Sequence, residues 1–137
     1  MDIIDTLKSL GQENPVWKLS ISAAKRIATE LQEGDHPLVV LPIRDEVESG
    51  TRIPGKRPTF CLSEKKLIMA YQPGIFSSSM CRSWLQADIV ELSDYNDRSF
   101  TFRTSDGHSV TLRGMIGGRH VEGMTQRFYE TLKTKPI

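Results

Sequence analysis

The chain has 137 residues, and 18 lysines and arginines against 17 aspartates and glutamates leave a formal net charge of +1. This length corresponds to one domain. A content of 38% hydrophobic and 26% charged residues is typical of a globular chain rather than a disordered one. The balanced charge excludes a generally cationic surface, so we expect no nucleic-acid partner.

The N-terminus lacks the pattern of a secretory signal, in which a basic stretch precedes an uninterrupted apolar one. Asp2 and Asp5 come first, and Lys8 interrupts the apolar positions. The longest apolar run, 37–43, is far shorter than the roughly 20 residues that cross a bilayer as a helix. We therefore predict a cytoplasmic protein.

The chain contains two cysteines and three histidines. Cys61 and Cys81 lie in apolar, strand-like stretches, which favours two buried thiols, with one disulfide as the alternative. The histidines are dispersed, and no zinc-ligand spacing is present in the sequence. We therefore predict no metal site and no cofactor.

Two helices are predicted in residues 1–34. The apolar face of the first repeats at helical spacing through Ile3, Ile4, Leu7 and Leu10. After Pro15 a second stripe follows, made of Ala23, Ala24, Ile27, Ala28 and Leu31. Ser20 or Ser22 is suited to cap this second helix, because a short hydroxyl accepts a backbone N–H there, and Gly34 ends it.

Seven short strands are predicted at 37–41, 59–62, 67–71, 80–84, 89–92, 100–103 and 110–113. Residues 63–66 and 105–107 are predicted to be hairpin turns, because polar or glycine-containing segments of this length join antiparallel strands. The polar connection 44–58 is predicted to be a loop. Alternation in the last two strands predicts one buried and one exposed face.

A last helix is predicted from the apolar stripe Val121, Met124, Phe128 and Leu132, and Pro136 ends it. Its wide stripe suits it to close one open end of a small barrel. The predicted fold class is therefore α+β: a seven-stranded antiparallel β-sandwich or barrel capped by a C-terminal helix, with N-terminal helices.

This order of elements resembles the pleckstrin-homology (PH) superfold. Three segments are similar to those of bacterial PH-like and GRAM-like domains: the hairpin 57–68, the strand segment 84–92 and the hairpin 100–112 with its Asp106-Gly107 turn. The resemblance covers residues 30–135. It implies a PH-like domain over 35–137, after a helical extension over 1–34.

The resemblance also implies a function. PH-like domains of this kind are non-enzymatic binding modules, and bacterial ones are often oligomeric through exposed sheet edges. We therefore expect protein–protein interaction or self-association. A basic segment, 52–66, and an acidic one, 88–97, could complement each other between two copies. Recruitment to membranes through an anionic lipid headgroup is the alternative.

A basic cluster in residues 52–66 is the candidate ligand site. It carries five basic groups and one acid, Glu64, for a local charge of +4. Arginine suits phosphate because its planar fork makes paired hydrogen bonds, and lipid-binding PH domains hold phosphoinositides near this loop. Three acids in 44–48 oppose such attraction, so a solvated loop is the competing interpretation. The basic residues are Arg52, Lys56, Arg57, Lys65 and Lys66.

Three apolar residues are candidate partner contacts. Ile75 and Phe76 follow the Pro73-Gly74 turn, where they either insert into a membrane or partner pocket or fold back over the barrel end. Trp84 is either an interface anchor, since tryptophan is enriched at binding hot spots, or a core residue.

The sequence contains no catalytic constellation. Nucleophilic catalysis needs a serine or cysteine beside a histidine that a third group orients, and no G-x-S-x-G elbow occurs. The glycine-rich segment 114–119 lacks the lysine and hydroxyl residue of a phosphate loop. We therefore predict that the chain is not an enzyme.

Overall fold

The computed structural model of the chain describes residues 2–11, 19–31, 33–53, 56–72, 80–96, 99–113 and 130. Two helices precede nine strands in the described part. The helices are α1 (Ile3–Gly11) and α2 (Ile21–Glu30). The strands are β1 (Pro37–Pro42), β2 (Asp45–Glu48), β3 (Thr51–Arg52), β4 (Lys56–Ser63), β5 (Lys66–Gln72), β6 (Met80–Leu85), β7 (Ile89–Asn96), β8 (Ser99–Thr104) and β9 (Ser109–Arg113).

The strands form two antiparallel sheets. The four-stranded sheet has the order β1-β4-β5-β6, and the five-stranded sheet has the order β3-β2-β9-β8-β7. The chain first passes between them at Ile43, whose N–H donates to Pro58 O on β4, and Arg44, whose N–H donates to Arg113 O on β9. It returns to the four-stranded sheet between β3 and β4, and it passes to the five-stranded sheet again at the 3₁₀ turn Gln86–Asp88, between β6 and β7.

The main core lies between the two sheets. Its largest fully buried side chains are Phe60 of the four-stranded sheet and Phe102 of the five-stranded sheet, and Met69 packs in the same cluster. Leu112 and Val110 of β9 belong to the same cluster. Each of these residues alternates with one on the opposite face of its strand, so one set of side chains fills the space between the sheets.

A second core lies on the other face of the four-stranded sheet, where α1 and α2 cover it. Cys61 and Ile68, the sheet neighbours that alternate with the first set, pack in one cluster with Leu7 of α1 and Ile27 of α2. The centre of the sheet is therefore buried on both faces, and this explains why residues 60–62 of β4 and 67–70 of β5 are continuously apolar.

Local hydrogen bonds place the elements around this sheet. Ser20 caps α2, because its Oγ accepts the N–H of Ala23 at 3.1 Å. The buried Asp35 accepts from the Ser63 hydroxyl at 2.8 Å and from the Lys65 N–H at 3.2 Å. The segment after α2 is thereby tied to the β4–β5 turn.

The predicted fold class is wrong. The described strands form two separate sheets with no ladder between them, and not a closed seven-stranded barrel. The seven predicted strands all coincide with observed ones, and the two N-terminal helices are confirmed. Glu130, the one described residue after β9, is helical. The predicted C-terminal helix lies, apart from Glu130, outside the described part of the chain.

The two strands that were not predicted lie in the polar connection 44–58. β2 pairs with β9. β3 pairs with β2 across a turn in which Ser49 and Gly50 have φ values of 50° and 86°. Two consecutive positive φ values are what a tight two-residue hairpin requires. Sequence patterns do not predict these strands, because acidic residues are poor strand formers.

Candidate functional site

β6 is an edge of the four-stranded sheet. Among the described residues it pairs only with β5, from Lys66↔Leu85 to Tyr71↔Met80, so its other side presents N–H and C=O groups that no described strand pairs. Met80 and Leu85, at the two ends of β6, are 48% and 47% exposed. A strand edge with exposed apolar residues at both ends is suited to pair with a further strand.

Two inward side chains hold β6 against the other sheet. The Trp84 ring meets the Phe102 ring edge-on, with centroids 5.2 Å apart and an interplanar angle of 75°. Arg82 lies over Trp84, 5.1 Å from the ring centroid, and forms ion pairs with Glu46 and Glu48 of β2. These contacts immobilise the strand before anything binds to its edge, which lowers the entropic cost of binding.

Glu46 is the most buried acid of this ion-pair group. It is 3% exposed and lies opposite Leu112, a core residue of β9. Its Oε2 is 3.0 Å from Arg82 Nε, but the contact lacks hydrogen-bond alignment, and its Oε1 has no hydrogen-bond partner among the described residues. Burial raises the pKa of Glu46, and this effect outweighs the opposing attraction of Arg82.

Replacing Glu46 by glutamine is expected to change how stability depends on pH. Since the folded-state pKa of Glu46 lies above its ordinary value of 4.5, the native state binds this proton more tightly than the unfolded state does. The contribution of Glu46 to the free energy of unfolding is therefore largest in acid and falls as the pH rises from 4.5 through the folded pKa.

Urea unfolding at a series of pH values measures this effect. The stability of Glu46→Gln relative to the wild type should increase as the pH rises through that window. Glu91→Gln, which removes an exposed carboxylate of β7, is the matched control and should show no such trend. Parallel pH profiles of Glu46→Gln and the wild type would contradict the assignment.

A cleft of about 270 Å³ runs beside β6. Ser83, Trp84 and Leu85 all line it, although consecutive strand residues point to opposite faces. The lining also includes Lys66, which pairs with Leu85 from β5, on the side of β6 away from its unpaired edge. The cleft therefore lies at the Leu85 end of β6. The remaining lining residues come from the 3₁₀ turn, the end of β8 and the β8–β9 turn: Asp88, Thr104 and Asp106.

The basic residues predicted to bind a ligand do not form one group in the described structure. The backbone places Arg52 on β3 and both Lys56 and Arg57 at the start of β4, whereas Lys65 and Lys66 follow the far end of β4. Seven steps of a strand separate Lys56 from Ser63, about 23 Å. Side chains are described only for Lys65 and Lys66, and Lys66 Nζ donates to Glu30 O at 2.8 Å. An anionic headgroup site therefore stays a prediction.

The predicted partner contacts fall in two places. Ile75 and Phe76 lie outside the described residues. Trp84 is half-buried, packs against the core and lines the cleft, so its role as an interface anchor stays a prediction. The acidic members of the cleft, Asp88 and Asp106, come from different turns, and only the tertiary structure brings them together.

The two cysteines are unpaired thiols, as the apolar surroundings predict. Cys61 is fully buried and Cys81 half-buried, and both belong to the face that packs against the helices. β5 lies between their strands. Burial raises the pKa of both thiols, that of Cys81 to about 12, so neither is a reactive thiolate at neutral pH.

Comparison with known families and with curated proteins finds no match for this chain. Within the described residues, no three histidine, cysteine, aspartate or glutamate side chains are grouped to hold a metal ion. The helices described here are also too short and too polar to cross a membrane.

Proposed function

We propose that the chain is a non-enzymatic binding module that takes up an extended segment of a partner protein at the edge of β6. The observation that supports this most is the cleft at the Leu85 end of that strand. Near it lie backbone groups of β6 that no described strand pairs. The cleft itself gives space for a side chain of the incoming segment. Strand addition gives affinity through the backbone and specificity through such side-chain pockets.

The exposed apolar residues support the same mode of binding. Met80 and Leu85 flank the edge, and a strand lying along β6 would cover both. Because about half of each side chain is already buried, covering the rest stabilises the complex by roughly half of the 1.5–3 kcal/mol of full burial. Arg82 and Trp84 hold β6 in place through its inward face.

The size of the cleft favours a single segment over a second folded copy. A bound strand needs only about 4.8 Å of width beside β6, and about 270 Å³ accommodates one or two of its side chains. A second copy would bring its own five-stranded sheet close to the same edge. We therefore assign the edge to a flexible segment of another protein.

A random-peptide phage library, selected against the intact chain, is the probe for this proposal. Amide hydrogen exchange of the chain with a selected synthetic peptide should show new protection at residues 80–85. Leu85→Lys should weaken peptide binding about tenfold, the loss of roughly 1.4 kcal/mol of apolar burial.

The matched control is Ile3→Lys, which changes another exposed apolar residue on α1. α1 packs over β1, at the opposite edge of the same sheet, and this variant should bind the peptide like the wild type. Three results would overturn the proposal: no selected peptide binds, the protected amides lie outside β6, or β6 is protected by raising the concentration of the chain alone.

A further inference from the structure

The acidic wall of the cleft is held in place by the backbone. The N–H of Ser105 donates to Asp88 O at 2.7 Å, which ties the 3₁₀ turn to the β8–β9 turn. Asp106 stands on the β8–β9 turn and accepts a hydrogen bond from the Thr104 hydroxyl. Two acidic residues from different turns therefore line one cleft.

The two carboxylates differ in what else they contact. The hydrogen bond from Thr104 lowers the pKa of Asp106, and the nearby His108, 3.5 Å from Asp106 Oδ2, acts in the same direction. The Asp88 carboxylate makes no hydrogen bond or ion pair with another described residue that the structure records. Asp88 is exposed, so its charge is available to a bound group.

The rest of the cleft favours a cation with an apolar stem. The one basic residue of the lining, Lys66, directs its ammonium to Glu30 O at the end of α2. Arg82 already occupies one face of the Trp84 indole, so Trp84 offers the cleft apolar surface and not a second cation site. Leu85 supplies an apolar surface for a methylene chain.

We propose that the segment bound at β6 carries a lysine or arginine whose side chain enters the cleft beside Trp84, with its charge at Asp88 and Asp106. This inference rests on the proposed function, since strand pairing along β6 is what brings the side chain to the cleft. The partner is thereby defined as a protein with an extended, basic segment.

The test uses the peptides selected from the phage library. They should share a lysine or arginine at one fixed position, and replacing it by glutamine should weaken binding about fivefold, as expected for a partly exposed ion pair. Asp88→Asn should weaken binding of the basic peptide by a similar factor and leave binding of the glutamine peptide unchanged. Asp5→Asn, which removes an exposed charge from α1, is the matched control.

A charge-exchange experiment tests the cation site directly. Asp88→Lys should no longer bind the basic peptide, and it should bind a peptide that carries glutamate at the same position. If selected peptides protect β6 but are indifferent to the basic residue and to Asp88→Asn, the cation site is overturned and strand addition stands. If no peptide protects β6, the proposed function itself fails.

Discussion

Phe102→Ala is expected to lower the free energy of unfolding by about 3–5 kcal/mol. Phe102 is fully buried at the centre of the inter-sheet core. Its ring also meets Trp84 edge-on at 5.2 Å, so truncation removes an aromatic pair as well as apolar burial. The two sheets are held together here without a ladder between the described strands, so we expect no backbone contact to compensate for the cavity.

Urea unfolding followed by circular dichroism measures this loss. Thr101→Ala is the matched control on the same strand, since Thr101 points to the other face and its hydroxyl bonds that of Thr111 at 2.8 Å. That variant should cost about 1 kcal/mol, the typical net value of one hydrogen bond. Equal losses in the two variants would contradict the assignment of the core.

Ile27→Ala is expected to destabilise the chain by about 2–5 kcal/mol. Ile27 is fully buried on α2, in the cluster that joins both helices to Val40, Cys61 and Ile68 of the four-stranded sheet. The cavity would open between a helix and the sheet. The effect should therefore reach the sheet and not remain confined to the helix.

Amide exchange distinguishes a shared core from a separate helical extension over residues 1–34. With a shared core, Ile27→Ala lowers the protection of β4 and β5 together with that of α2. Lys25→Ala, an exposed substitution on the same helix, should stay within about 0.5 kcal/mol of the wild type. Unchanged protection of β4 and β5 in Ile27→Ala would show that the helices and the sheets unfold independently.

Some parts of the fold were predictable from short segments. The helix α2 follows from an apolar stripe and from Ser20, whose hydroxyl caps it as expected. The β8–β9 hairpin follows from alternation and from Gly107, which has a φ of 94° and donates to Thr104 O at 3.1 Å. Such signals depend on neighbours in the chain, so the sequence alone contains them.

The strand β2 could not be predicted from its local sequence. Glu46 and Glu48 alternate with Val47, and the acids point toward Arg82 while their cross-strand neighbours are the core residues Leu112 and Val110. A charged segment of this kind is expected in solvent. Its strand conformation depends on a guanidinium that arrives from the other sheet, which local sequence does not specify.

The candidate site, like β2, depends on contacts between distant parts of the chain. Trp84, Asp88 and Asp106 stand on a strand and on two different turns, and each has an ordinary local explanation in the sequence. Local patterning was enough to locate seven strands and two helices, because side-chain periodicity and turn chemistry act over a few residues. The division into two sheets, the burial of one of them on both faces and the cleft at the Leu85 end of β6 came from long-range packing alone. Those features depend on which faces meet, and that choice is made by contacts between residues distant in the chain.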